Sequence, residues 1–407
     1  MSQMDVDVSD PLTALITLRE EIEPTEDTQL IGSFYELEDL YERKLWYQLS
    51  ELLTKSIYKN ENSKPIRLRL YENFVFTFAH KISQLKLVEF LLLSIGECSL
   101  EDSLEYLHSL ELEITAVLSK QQNGSAEEGV NFNEVRQADI FVRIETARIK
   151  LEMGNVDEAT TIIDESSKKI DDLVSSVDNR VNASYYRTNA QLMKINGDYS
   201  AYYYSSLLFL ACITDLNELT NKTQIVRDIC VSGLLGDKIY NFGEIIMHEI
   251  FQYLQDDDWL KHLVLSLNNG DLTGFKEIID SPDVQSVPEL SNSVEFLKQK
   301  MCIMALIEIV FSKPTNSKTV KYSELLKEIP LLKNADDVER LTMKCLSLGL
   351  IKGHINQVSS EVEINWIQPR TMTRDQIVNM KKKMTQWSER VEDLNKYMGD
   401  AGKELWV

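Results

Sequence analysis

Apolar side chains recur at helical spacing along most of this chain. Helices are predicted over Leu30–Tyr41 and Lys44–Lys55, the latter with Leu45, Leu49, Leu52 and Leu53 on one stripe. Pro65 stands where a helix start tolerates proline, and Leu70, Phe74 and Phe78 follow on one face. Further helices are expected over Gln84–Leu93 and from Leu100, where Leu104, Leu107, Leu110, Ile114 and Val117 keep to one side. Ahead of these, Met1–Asp10 reads as disordered and Pro11–Glu21 as a loosely held helix. Over Gln121–Asn131 the periodicity lapses and Gly, Ser and Glu accumulate, the composition of a loop or mobile linker.

Beyond that linker a repeat emerges. Helix pairs turn at Gly154-Asn155, Gly197-Asp198, Gly236-Asp237 and Gly270-Asp271, spaced by roughly 43, 39 and 34 residues. Glycine ends one helix in a left-handed cap and Asn or Asp starts the turn into the next. At Gly154 the following helix offers the small Ala159 for close contact; Tyr202 and Phe275 stand at the equivalent places after Gly197 and Gly270. The pattern resembles degenerate tetratricopeptide-like hairpins, which implies a right-handed helical-repeat (TPR-like) solenoid whose pairs hide their apolar faces by stacking. An ordinary bundle with Gly-Asp turns is the alternative. The last repeat helix, Val294–Phe311, is apolar nearly all round and is expected to join the repeats rigidly to the next module, with Pro314 and Ser317 at the joint.

The convincing strand signal lies between Thr319 and Arg370. A short strand (Thr319–Tyr322) leads into a helix opening at Ser323, a turn at Pro330-Leu331-Leu332 and a second helix over Asn334–Leu348. That helix carries Val338, Leu341, Cys345 and Leu348 on one face, with Asn334 as N-cap, Asp336 and Asp337 at the positive end of its dipole, and Gly349 as terminator. A ribbon over Ile351–Ile367 comes next, with Ile351 and Ile355 on one side, then Val362, Ile364 and Trp366 at period two. Strand–helix–turn–helix–hairpin is the order of a winged helix. A DNA-reading version would place Arg and Lys on the second helix and wing. Here seven cations balance seven anions and the second helix opens on two aspartates. Protein docking is therefore the reading its charges favour.

The tail holds a second pattern. Ile377, Met380, Met384, Trp387, Val391, Leu394 and Met398 fall at 3-4-3-4-3-4 spacing, an unbroken heptad seam. A helix over Thr373–Met398 would be about 40 Å long at 1.5 Å per residue. Its narrow stripe, with the cations Lys381, Lys382, Lys383 and Arg390 around it, suits a helix seeking partner helices, and Trp406-Val407 forms an apolar end. Packing against the chain's own repeats is the competing expectation.

Composition changes this picture little. With 407 residues, 43% of them apolar, the chain can bury a substantial core in two or three units, and a net charge of −22 disfavours nucleic acid and anionic membranes. Cys98, Cys212, Cys230, Cys302 and Cys345 are scattered through apolar helical contexts and read as buried thiols in a reducing compartment. No apolar run approaches the ~20 residues that span a bilayer, and the acidic start is unlike a targeting peptide. Catalytic chemistry finds no footing. His248-Glu249-Ile250-Phe251-Gln252 has Gln where a zinc motif needs its second histidine, and His80, His108, His262 and His354 lie far apart. Asp256-Asp257-Asp258 reads as a cap for the helix starting at Trp259. No cofactor, metal or nucleophile with its base is predicted.

Helical repeats running into a winged helix resemble the PCI domain, shared by scaffold subunits of the proteasome lid, the COP9 signalosome and a translation initiation factor. Tyr41–Leu49, Arg67–Val75, Leu234–Glu244, Leu346–Gly353, Trp366–Arg370 and Trp406-Val407 are similar to segments of PCI subunits of the 26S proteasome lid. The resemblance implies a non-catalytic scaffold in the cytoplasm and nucleus, hetero-oligomeric with other PCI lid subunits and the remaining regulatory-particle subunits. It implies a winged-helix contact through strand edges at Val320 and Tyr322 on one side and Lys352, His354 and Asn356 on the other. It also implies a helix bundle built on the heptad seam. The other PCI assemblies, and less readily a winged-helix nucleic-acid binder, stay open as alternatives. The expected organisation is a flexible 1–27, helical repeats over 28–120, a linker at 121–132, repeats over 133–312, a winged helix over 313–370 and a bundle helix with tail over 371–407.

Overall fold

The computed structural model describes residues 11–22, 28–96, 98–122, 131–173, 176–213, 219, 221–255, 258–282, 284, 287–313, 319–369 and 374–402. The acidic Met1–Asp10, most of the expected linker, Pro314, Ser317, Asp256, Asp257 and Trp406-Val407 lie outside them. The fold is mainly α, with one small sheet, and divides into two compact units, Met1–Asp215 and Leu216–Val407.

The first unit runs α1 (Pro11–Ile22), α2 (Thr28–Glu42), α3 (Trp46–Leu52), α4 (Arg67–Asn73), α5 (Gln84–Ile95), α6 (Leu100–Gln122), α7 (Phe132–Glu152), α8 (Val156–Asp171), α9 (Asn179–Asn196) and α10 (Tyr199–Cys212). The expected Lys44–Lys55 helix begins two residues late, after Lys44 at φ 58°, and ends in a wider π-turn over Leu53–Ile57. Leu70, Phe74 and Phe78 are all buried, and Tyr41 and Trp46 pack their rings on that face. α1 corrects the reading of a loosely held helix. Ala14, Leu15, Leu18 and Ile22 are buried, and Arg69 grips Glu21 through two bonds of 2.8 and 2.7 Å. α7 is enclosed on several sides, and its buried Glu145 is paired with Arg148 and accepts the Ser184 hydroxyl. The hairpins α7–α8 and α9–α10 turn on Gly154 and Gly197 in left-handed geometry, as their sequence predicts.

The second unit contains α11 (Lys222–Leu235), α12 (Gly243–Met247), α13 (Trp259–Asn269), α14 (Leu272–Ile279), α15 (Pro288–Ser291) and α16 (Val294–Ser312). α13 and α14 turn on Gly270, at φ 72°; a Cβ there would press to 3.3 Å from the Ala305 Cα. Gly236 departs from the pattern, with φ −67° and ψ 129°. Its carbonyl is held instead by Lys300, whose buried Nζ donates to Gly236 at 2.8 Å, Gly233 at 2.8 Å and Leu234 at 3.1 Å. The last carbonyls of a helix lack internal donors, so a lysine from α16 replaces the glycine cap. Apart from that lysine, α16 buries Leu297, Met301, Ile303, Met304 and Leu306, and packs against both the repeat helices of this unit and the winged helix. Cys230, Cys302 and Cys345 are buried, whereas Cys98 and Cys212 are only half-buried.

The winged helix is β1 (Thr319–Lys321), α17 (Tyr322–Glu328), α18 (Ala335–Ser347), β2 (Ile351–Asn356) and β3 (Glu361–Ile367), with sheet order β1-β3-β2, all antiparallel. α18 buries Val338, Leu341 and Cys345, starts in a capping box of Asn334 with Asp337, and ends at left-handed Gly349. Lys352 pairs with Trp366 but Gly353 with Ile364, so Asn365 is an extra residue, a β-bulge. The bulge overturns the period-two reading beyond Ile364: Val362 and Ile364 are buried while Trp366 is turned outward. Gly353 makes this register possible, because a Cβ there would fall 2.0 Å from the Glu363 carbonyl oxygen. Gly353→Ala is expected to destabilise the unit by about 1–3 kcal/mol. Thermal melting and hydrogen exchange across β2 and β3 read the effect, and an unchanged melt would refute it.

α19 (Arg374–Gly402) closes the described chain.

Candidate assembly interface

Among the described residues no group of His, Cys, Asp and Glu is placed to hold a metal ion. His248 accepts the Ile250 N–H and so caps a short 3-10 turn. Asp258 caps α13 through the Leu260 N–H and holds Arg227 at 3.0 Å. These motif residues are occupied with local structure. No helix is long and apolar enough to cross a membrane, again among the described residues. What the chain does present is apolar surface on two neighbouring elements of its second unit, the sheet and α19.

On the sheet, β1 and β2 are the two edges. Each edge strand leaves alternate backbone N–H and C=O groups without a ladder partner, which is the usual template for adding a strand. Lys352, His354 and Asn356 alternate along β2 with side chains exposed. The β1 side differs from expectation. Val320 is buried and Tyr322 is the first residue of α17, buried at 4% exposure, its hydroxyl donating to Glu339 at 3.0 Å. Burial, seconded by that carboxylate, raises the Tyr322 hydroxyl to about 12. Neither side chain is available to a neighbour; on that edge Thr319 and Lys321 are the exposed residues, and the Thr319 carbonyl already accepts Lys313. Two exposed groups escaped the sequence reading. Trp366 lies under the Lys352 ammonium, 4.9 Å from Nζ to ring centre, and Val358 at the hairpin tip is 99% exposed. A hairpin tip of Gln-Val-Ser-Ser carries the signal for Val358; nothing in the period of β3 announces the bulge that frees Trp366.

α19 is bare. Every side chain described along it is exposed, including Ile377, Met380, Met384, Trp387, Val391, Leu394 and Met398. Trp387 is 69% exposed and Met384 66%, values that core residues never show. The competing expectation, a helix folded back on its own chain, is not what the structure has. At 29 residues the helix is about 43 Å long. Burying seven such side chains would gain roughly 10 kcal/mol or more at about 1.5–3 kcal/mol each. That sum is comparable to the estimated cost of association, about 4–15 kcal/mol.

Two family matches divide the chain. PSD13 N-terminal repeats match residues 33–264, and the PCI domain matches residues 275–366. Over 403 residues the chain is 38% identical to the 26S proteasome regulatory subunit RPN9 of Saccharomyces cerevisiae, covering 97% of this chain and 98% of that one. It is 34% identical to the probable 26S proteasome regulatory subunit rpn9 of Schizosaccharomyces pombe over 100% of both chains. It is 30% identical to the 26S proteasome non-ATPase regulatory subunit 13 homolog A of Arabidopsis thaliana, over 89% of this chain and 92% of that one.

Proposed function

The chain belongs to the family of 26S proteasome regulatory subunits built from PSD13 N-terminal repeats and a PCI domain, and we propose that it is a non-catalytic scaffold of the regulatory-particle lid. In that role it supports lid assembly, and through it ubiquitin-dependent protein degradation, in cytoplasm and nucleus. The observation that carries the reading is the apolar seam of α19, seven side chains at regular 3-4 spacing that are all exposed. Water does not favour such a stripe, and another helix covers it with the same 3-4 spacing.

Two contacts result. The seam from Ile377 to Met398 enters a bundle with helices of neighbouring PCI subunits. The β2 edge, at Lys352, His354 and Asn356, meets a neighbouring winged helix, with Trp366 and Val358 beside it. On the opposite edge the contact falls to the backbone of β1, since Val320 and Tyr322 turn inward. Balanced charge on the winged helix supports a protein neighbour over a nucleic acid.

Affinity purification of the tagged full-length chain, coupled to mass spectrometry, tests this. The expected companions are the subunits of the 26S regulatory particle in stoichiometric amounts. Recovery of signalosome or initiation-factor subunits in their place would overturn the assignment.

A further inference from the structure

We propose that the α19 seam selects helices of other chains whose own seams are bordered by Glu or Asp, and that it discriminates against a second copy of itself. This rests on the assembly reading above. In the heptad, Ile377, Met384, Val391 and Met398 occupy one core position and Met380, Trp387 and Leu394 the other. The residues bordering that stripe then include four charges, Arg374, Lys381, Lys383 and Arg390, and all four are cations. The acidic side chains described on the helix, Glu389, Glu392, Asp393 and Asp400, stand on the far side with Lys382 and Lys396. A local excess of four positive charges along the seam, in a chain of net charge −22, is segregation by position within one helix. Lys381, Lys383 and Arg390 are exposed and make no ion pair among the described residues.

Bordering positions set partner choice in packed helices, because charges there face the partner across the edge of the apolar strip. Two antiparallel copies would bring cation against cation. Two parallel copies would set Lys383 against Ser388 and Arg390 against Asn395, with no attraction in return. A helix with carboxylates at its bordering positions answers all four cations. The rejected pairing is as much part of the design as the accepted one.

The test replaces the native chain in cells by tagged full-length variants and measures the fraction recovered in the purified 26S particle. Charge reversal at the border, K381E/K383E/R390E, is expected to reduce incorporation at least about tenfold, an effect in the range of close charge pairs. Reversal on the far side, K382E/K396E, is expected to leave it unchanged. Carbodiimide coupling in the wild-type particle, which joins an amine only to a carboxylate in contact with it, is expected to link Lys381 and Lys383 to Asp or Glu of another chain's helix. Normal incorporation of the border variant, while aspartates within the seam block it, would overturn this inference and leave the scaffold reading standing. If neither the border nor the seam variant affected incorporation, both would fall. Equal losses from border and far-side variants, or coupling of α19 to a second copy of this chain, would also overturn the inference.

Discussion

Replacing Trp387 and Val391 together by aspartate is expected to abolish incorporation of the chain into the regulatory particle while leaving the free chain folded. Both side chains sit mid-seam on α19 and are 69% and 44% exposed, so the isolated chain has little packing to lose. In the proposed bundle the same positions become core. An unpaired carboxylate buried among Leu and Met costs several kcal/mol, and two of them reduce association by roughly a thousandfold or more. Circular dichroism and the thermal midpoint of the purified variant should match the wild type, while the tagged variant should be missing from the purified particle. A variant that unfolds by itself would show that the helix packs within its own chain. One that incorporates normally would show that the seam is idle.

Lys300→Met should weaken the second unit by about 4 kcal/mol at pH 9, because it removes the two N–H donors that the neutral amine shares among three buried carbonyls at the end of α11. Methionine keeps the length of the side chain, so packing is largely retained and the lost hydrogen bonds dominate. The rings of Tyr240, Phe242 and Phe296 lie 5.3–5.7 Å from the amine and favour its cationic form. Burial works harder in the other direction and lowers the amine to about 7, with Asp237 opposing. Between pH 7 and the ordinary lysine range the unfolded chain therefore holds a proton that the native chain has released. Stability from this group rises with pH across that window, and the difference between wild type and variant narrows from pH 9 to pH 7 by on the order of 2–3 kcal/mol. Hydrogen exchange of α11 and α16 in graded urea at the two pH values measures this; equal protection in both proteins at both values would contradict it.

Local chemistry explains what could be read in advance. The seam of α19 was legible because a heptad needs no knowledge of the rest of the fold. The Asn334–Asp337 capping box and the left-handed turns at Gly154, Gly197, Gly270 and Gly349 are likewise settled within a few residues of chain. Most of the misses depend on distant partners. Gly236-Asp237 is the same dipeptide as Gly270-Asp271, yet its conformation answers to a lysine 64 residues further on. Lys300 itself hid in a helix read as apolar all round, since a buried cation is unfavourable until its carbonyls are in view. α1 looked weakly anchored until Glu21 met Arg69, 48 residues away. Tyr322, read as the end of an edge strand, is drawn into α17 and under Glu339. Trp366 escaped for a different reason. Alternation predicts sidedness only while pairing stays in register, and one extra residue at Asn365 reverses it.

Hydroxyl-radical footprinting of Met380, Met384, Trp387 and Met398, read by mass spectrometry in the free full-length chain and in the purified particle, tests the central claim most directly. Sulfur and indole side chains report their own exposure to water. All four should oxidise readily in the free chain and become strongly protected in the particle. Protection already present in the free chain, or equal oxidation in both states, would contradict the account.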